Sequence, residues 1–247
     1  VSLRIDVAGS SYVGLDRRRN EDAIHVGRRL FAVADGLGNH GAGDVASATA
    51  IEAVRRYDEV VEPHALPVVL GQAVRAANNA LRQRIAADPG LAGMGTTLVA
   101  LLSAGAAAAL ANVGDSRAYL LPAPDLRQGR RTIQITEDHL YRHLIAGAAE
   151  VPNLSDRLTR FLDGCPDGRS ADITVLTLTP GDRILLCSDG LSSYVSHDHL
   201  HTTLAASASP QQAVDRLVTS ALGRGGPDVS VIVLFIRNNR VNLDYSG

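Results

Sequence analysis

With 247 residues, 24 Lys and Arg against 26 Asp and Glu, and a net charge of -2, the chain has no basic field to draw nucleic acid and no aromatic-and-basic interleaving to stack bases. A hydrophobic share of 45% with 20% charged excludes extended disorder, and 4% aromatic with no Trp predicts a core of Ala, Val and Leu. No apolar run reaches the length of a membrane span, and the two cysteines, Cys165 and Cys187, form neither a disulfide framework nor a thiolate metal site, which fits a reducing, cytoplasmic setting. The length suits one domain, expected at 1–236 with a polar tail at 237–247, and a monomer. The start at Val1 rather than Met fits a trimmed or excised domain.

Leu3, Ile5 and Val7 alternate as in a half-buried strand, and residues 10–16 read as a polar turn. Arg17-Arg18-Arg19-Asn20-Glu21-Asp22 follows, three cations running into two acids; by itself this reads equally well as a solvated loop. Ala23 to Val26 and Arg29 to Ala34 predict two short strands joined at Gly27-Arg28, a hairpin able to bring Asp22 and Asp35 to one end. The second strand ends at Asp35 and dissolves into the glycine loop of residues 36–43, where the backbone must bend sharply. One isolated Asp-Gly is most simply a tight turn. Residues 184–191 repeat the grammar, an apolar strand and then Asp189-Gly190-Leu191, and the repeat favours a shared site.

Asp44 opens a helix with Ala46, Ala50, Ala53, Val54 and Tyr57 on one face, and a longer helix carries Leu66, Leu70, Ala73, Val74, Ala77, Leu81 and Ile85 as far as Asp88-Pro89-Gly90. Both are expected to cover a sheet. Strands at Thr97 to Leu102 and Ala106 to Val113 lead into Gly114-Asp115-Ser116-Arg117, a tight connection to a strand from Ala118 to Leu121. A strand over 130–135 precedes Thr136-Glu137-Asp138-His139, read as a helix start with capping carboxylates. Residues 139–171 are irregular and predict a flap. Ile173 to Leu178 and Arg183 to Ser188 read as a hairpin about Pro180-Gly181 that delivers Asp189. Pro210 to Leu222 is a helix with Val214, Leu217, Val218 and Ala221 inward, and Asp228 precedes a β run from Val229 to Ile236.

Asp22, Asp35, Asp115, Asp189 and Asp228 thus each stand at a strand end or tight turn. If five such acids converge they repel, and a cation must be there. Oxygen ligands select hard divalent ions, Mg²⁺ or Mn²⁺, over zinc. Two such ions, typically ~3.5–4 Å apart, can hold a bridging hydroxide and clamp a phosphoryl group. Arg17 adds a guanidinium fork for phosphate oxygens, so the residues point to metal-assisted phosphoester hydrolysis.

Gly14 with Arg17-x-x-Asn20-Glu21-Asp22, Asp35-Gly36, Gly93-x-Gly95-Thr96-Thr97, Asn112-x-Gly114-Asp115-Ser116-Arg117, Asp138-His139, Leu158-Thr159-Arg160, Ser188-Asp189-Gly190-Leu191 and Asp228 occur in an order that resembles the metal-dependent serine/threonine protein phosphatases of type 2C (PPM), especially compact bacterial members. The resemblance runs from about Ser2 to Ile236. It implies an α+β fold: a central sandwich of two mainly antiparallel sheets with helices on both outer faces, four layers in αββα order. It implies hydrolysis of phosphoserine and phosphothreonine in proteins, in opposition to a protein kinase. By the same resemblance Asp35 bridges two Mn²⁺ or Mg²⁺ ions, with the Gly36 carbonyl on one and Asp189 and Asp228 on the other. Glu21 and Asp22 act directly or through water, Arg17 binds phosphate, and Asp115 holds a third, weaker ion. Val229 stands where the family has Asn beside the metal aspartate, Asn39 replaces a glycine, Leu37 replaces the His of animal members, and the flap is short. Val229 motivates a second reading, a catalytically silent relative that binds a partner. In a third reading the aspartates are turn formers only.

Overall fold

The structure, a computed structural model, describes residues 3–38, 42–123, 131–145, 151, 154–166 and 170–239. Its strands are β1 (Leu3–Tyr12), β2 (Asp22–Val26), β3 (Leu30–Leu37), β4 (Gly95–Thr96), β5 (Leu98–Ala104), β6 (Ala107–Val113), β7 (Arg117–Leu121), β8 (Ile133–Gln134), β9 (Asp172–Thr177), β10 (Arg183–Cys187) and β11 (Val229–Asn238). Its α-helices are α1 (Gly43–Val54), α2 (Leu66–Ala87), α3 (Tyr141–Leu144), α4 (Asp189–Ser192), α5 (His197–Ala206) and α6 (Pro210–Leu222). The strands form two antiparallel sheets, ordered β1-β11-β10-β7-β8 and β2-β3-β5-β6-β9, with β4 added to β3.

Strands such as β5, β10 and β11 are nearly unbroken apolar runs because each lies between the other sheet and a helical layer, so both faces are buried. Phe31, Val33, Leu101, Ile184, Ile232 and Leu234 fill the space between the sheets. Leu30, Leu98 and Leu102 meet Ala46, Ala50, Leu70 and Leu81 of α1 and α2. On the opposite side Leu185, Val231 and Phe235 meet Leu200, Val214 and Leu217 of α5 and α6. The result is the expected α+β sandwich with helices on both outer faces.

Several local expectations are corrected. β1 continues to Tyr12, taking the first three residues of the expected turn, because its ten residues all pair with β11, from Leu3 opposite Asn238 to Tyr12 opposite Val229. β11 in turn runs two residues past Ile236. β3 does not stop at Asp35, since Gly36 and Leu37 pair with Thr96 and Gly95. The connections β6–β7 and β9–β10 are not hairpins: each joins strands of different sheets, so residues 114–116 and 179–182 carry the chain from one layer to the other. The latter still makes the expected turn, with Gly181 at φ 101° and the Asp182 N–H donating to the Thr179 carbonyl at 2.9 Å. Residues 136–139 form no helix, the strand over 130–135 is described only at Ile133–Gln134, and α5 was not expected. Asn39, His40, Gly41 and parts of the flap lie outside the described residues. Among the described residues no helix is long and apolar enough to cross a membrane.

Candidate metal centre

The β2–β3 hairpin sets Asp22 directly opposite Asp35. Its turn is held from outside by Asp58, which accepts backbone N–H groups of Arg28 (2.9 Å), Arg29 (2.7 Å) and Leu30 (3.0 Å). Burial pushes Asp58 up, but these three donors and His25 outweigh it and hold the carboxyl below its usual value. The backbone of Asp35 is fixed on the other side: its N–H donates to Thr97 Oγ1 at 3.0 Å, and its carbonyl accepts from Thr97 N–H and Thr96 Oγ1, each at 2.9 Å.

From the other sheet β10 ends at Cys187, and Asp189 begins the single turn of α4. Gly190 lies against the Asp228 carbonyl so closely that a Cβ would collide with it. The Asp228 carboxylate accepts Gly14 N–H on Oδ1 at 2.8 Å and Glu21 N–H on Oδ2 at 2.7 Å. These two donors orient it without the missing Asn: Val229 is buried among Leu191, Val214 and Val231, in the layer beneath α6.

Arg17, Glu21, Asp22, Asp35, Gly36, Asp115, Asp189 and Asp228 all line one cleft of about 430 Å³ at the end of the sandwich where the two sheets meet, so every site residue expected from the sequence is brought together. A larger groove, about 930 Å³, lies between α1 and α2 but holds none of these residues. In the cleft, burial raises Asp22 to about 7, helped by the charges of Asp228 and Asp189. Burial likewise raises Asp115 to about 7, with Asp189 adding to it. Asp35 is pushed well above the carboxylate range, by burial first and then by Asp22, Asp189 and Asp115. Asp189 is raised by burial, opposed by its hydrogen bond with Asp35 and by Arg117 and Arg17. The Arg17 guanidinium stands 3.7 Å from Glu21, at the cleft edge.

Such a cluster cannot carry its full negative charge unaided. Asp22 Oδ2 is buried with no hydrogen-bond partner among the described residues, and the donors are carboxylate and carbonyl oxygens. The set fits a hard divalent cation. Among the described residues no group of three or more Asp, Glu, His or Cys is closed into a ready-made shell, so the chain supplies the donors and their approach rather than a finished cage.

Several supporting residues were not anticipated. Beneath Asp22, Asn20 Nδ2 donates to Ser11 Oγ at 2.7 Å, Ser11 meets Ser230 at 2.8 Å, and Ser188 Oγ accepts Ser230 N–H at 3.0 Å. Buried hydroxyls beside Asp189 and Asp228 in otherwise apolar strands were the available signal. Asp138 is no helix cap: it is buried and receives Arg117 Nη2 at 2.6 Å and Nε at 2.9 Å, an ion pair beneath the Asp115 crossing. Flap residues Asp156, Arg157, Leu158 and Phe161 complete the cleft wall.

The family model for Protein phosphatase 2C matches residues 16–222. Serine/threonine protein phosphatase PstP of Mycobacterium tuberculosis is 39% identical over 99% of this chain, which spans about half (47%) of that protein's length. Serine/threonine phosphatase stp of Listeria welshimeri is 32% identical over 91% of this chain and 93% of its own. Among solved structures, the catalytic domain of PstP in complex with two manganese ions superposes with a TM-score of 0.85 and 36% identity, covering 96% of this chain and 100% of that one. With this fold, this cleft and these matches, the chain belongs to the protein phosphatase 2C family of metal-dependent serine/threonine phosphatases.

Proposed function

We propose that residues 1–236 form one catalytic domain that hydrolyses phosphoserine and phosphothreonine in proteins. The observation that carries this reading is the convergence of five aspartates from both sheets, with Arg17, on a single cleft. Asp35, on which the charges of Asp22, Asp189 and Asp115 act together, would be a central ligand for Mn²⁺ or Mg²⁺ ions held in this cleft. Gly36, Asp22, Glu21, Asp189 and Asp228 complete their surroundings, and Asp115 offers a place for a further ion. When bound, such ions neutralise phosphoryl oxygens and activate water as the nucleophile near neutral pH. The chain's own work is orientation. Arg17 receives the phosphate with a planar fork, the Thr96–Thr97 pair fixes the Asp35 backbone, and the flap walls the phosphoresidue from solvent. Asp228, aligned by two backbone donors, supports an active centre over a silent relative.

A phosphorylated protein opposing a kinase is the proposed partner, and a monomer in the reducing cytoplasm the proposed setting, in keeping with the buried thiol of Cys187. With Mn²⁺ the purified chain should release phosphate from p-nitrophenyl phosphate and from a phosphothreonine peptide, and chelation should stop it. A folded chain that turns over neither in saturating Mn²⁺ would overturn the assignment.

A further inference from the structure

The two feet of the flap meet at His139, and from there a continuous line of hydrogen bonds reaches the Asp115 crossing. On the returning foot, Arg160 grips Asp172, the first residue of β9, with Nη1 to Oδ1 at 2.9 Å and Nη2 to Oδ2 at 3.0 Å. The same Oδ2 lies 2.9 Å from His139 Nε2. Across the ring, Nδ1 accepts the Gly114 backbone N–H at 3.0 Å. The main chain runs alongside: His139 N–H donates to the Gly114 carbonyl at 3.0 Å, and its carbonyl accepts Thr159 N–H at 2.8 Å.

The partners fix the tautomer. A backbone N–H can only donate, so Nδ1 is bare and the ring proton sits on Nε2, where the Asp172 carboxylate receives it. Asp172 is kept ionised for that task by Arg160, against the opposing effect of burial and with a smaller contribution from His139. Gly114 needs such a tie. Its φ of 111° is one that side chains avoid, and a Cβ there would meet Thr97 Cγ2 at 2.6 Å, so the orientation of the peptide is set by what holds it from outside. His139 is only 4% exposed, and a lost partner there is not replaced from bulk solvent.

We propose that His139 is a positioning residue: with Asp172 and Arg160 it couples the seat of the flap to the Gly114–Asp115 crossing, so that where the flap lies sets where the Asp115 carboxylate stands in the cleft. A phosphoprotein pressed against Leu158 or Phe161 is then felt at a carboxylate on the crossing between the two sheets. The idea relies on the phosphatase reading for its activity arm alone.

Asp172→Ala cuts the line at a residue outside the cleft whose side chain is 51% exposed, so the fold is spared. In the metal-free protein it should shift the Gly114 and Asp115 amide resonances, which lie beyond the buried imidazole. With Mn²⁺ it should lower turnover about tenfold, yet change it less than twofold in an Asp115→Ala background. His139→Asn, which keeps an acceptor for Gly114, should retain more activity than His139→Leu. Amide resonances at their wild-type positions in Asp172→Ala, or effects of Asp172→Ala and Asp115→Ala that simply multiply, would overturn the coupling. Should the wild-type chain hydrolyse no phosphoester, the resonance measurement still decides this question separately.

Discussion

Asp22, Asp35, Asp115 and Asp189 are held above their ordinary value of 3.8, chiefly by burial. A carboxyl raised by folding contributes its stability in full below the unfolded value and loses it as pH climbs through the folded one, which is about 7 for Asp22 and Asp115. The metal-free protein should therefore lose stability from this cluster between about pH 4 and pH 7. Since Mn²⁺ competes with the same protons, a fixed Mn²⁺ concentration should raise the melting temperature more at pH 8 than at pH 6; equal shifts would detach the carboxylates from the metal. Asp35→Asn should cut turnover by ~10²–10³-fold, while raising the metal-free melting temperature by about 2–4 °C for each kcal/mol of repulsion removed. A near-native rate in that variant would remove Asp35 from its central place.

At the scale of elements, the hairpin that faces Asp22 to Asp35 depends on a residue outside it. Asp58→Ala leaves three backbone donors without their acceptor and should cost about 1–3 kcal/mol, whereas Asp58→Asn keeps an acceptor for Arg29 and Leu30 and should cost less; thermal melts separate the two. Because the folded Asp58 carboxyl is depressed, its contribution is present above the unfolded value and disappears as pH falls through the folded one. Gly190→Ala drives a Cβ into the Asp228 carbonyl and should abolish the Mn²⁺ thermal shift while circular dichroism still reports the native strands and helices. The hairpin and the helices α1, α2 and α6 were legible because each carries its own period: Leu66, Leu70, Ala73, Ala77 and Leu81 mark one face of α2. The sheet to which a strand belongs was not. A strand buried on both faces, as β10 is, shows no alternation, so β9–β10 reads as a hairpin although the two strands lie in different layers. Asp138 reads locally as a cap because its partner, Arg117, is 21 residues away, and α5 carries too weak a period to read, with only Leu200, Thr203 and Leu204 buried. The five aspartates could still be named, since an Asp before Gly or at a strand end marks itself locally, and Arg17 by its closeness to Asp22, whereas Glu21 and Gly36 rest only on the family resemblance; the Ser11–Ser230–Ser188 floor and the His139 tether are relations between distant segments.

Taken whole, the molecule builds its cleft at a seam. Asp22, Asp35 and Gly36 come from one sheet, Asp189 and Asp228 from the other, and Asp115 from the chain that crosses between them. Separating the layers would dissolve the site before it unfolded either sheet, so loss of Mn²⁺ response should precede loss of circular dichroism during denaturation in urea; coincident transitions would show that the sandwich and the site form one cooperative unit. The seam is closed by Asp228, which clasps Gly14 across 214 residues of chain and Glu21 across 207. That clasp imposes an order on synthesis. While a ribosome is still making the segment before β11, β1 lacks its ten-residue partner and the loop bearing Arg17 lacks the Asp228 carboxylate that holds Gly14 and Glu21. Until Asp228 and β11 have been made, the seam stays open and the cleft lacks one of its five aspartates, so the site is assembled last, by an acid reaching back to residues made long before it.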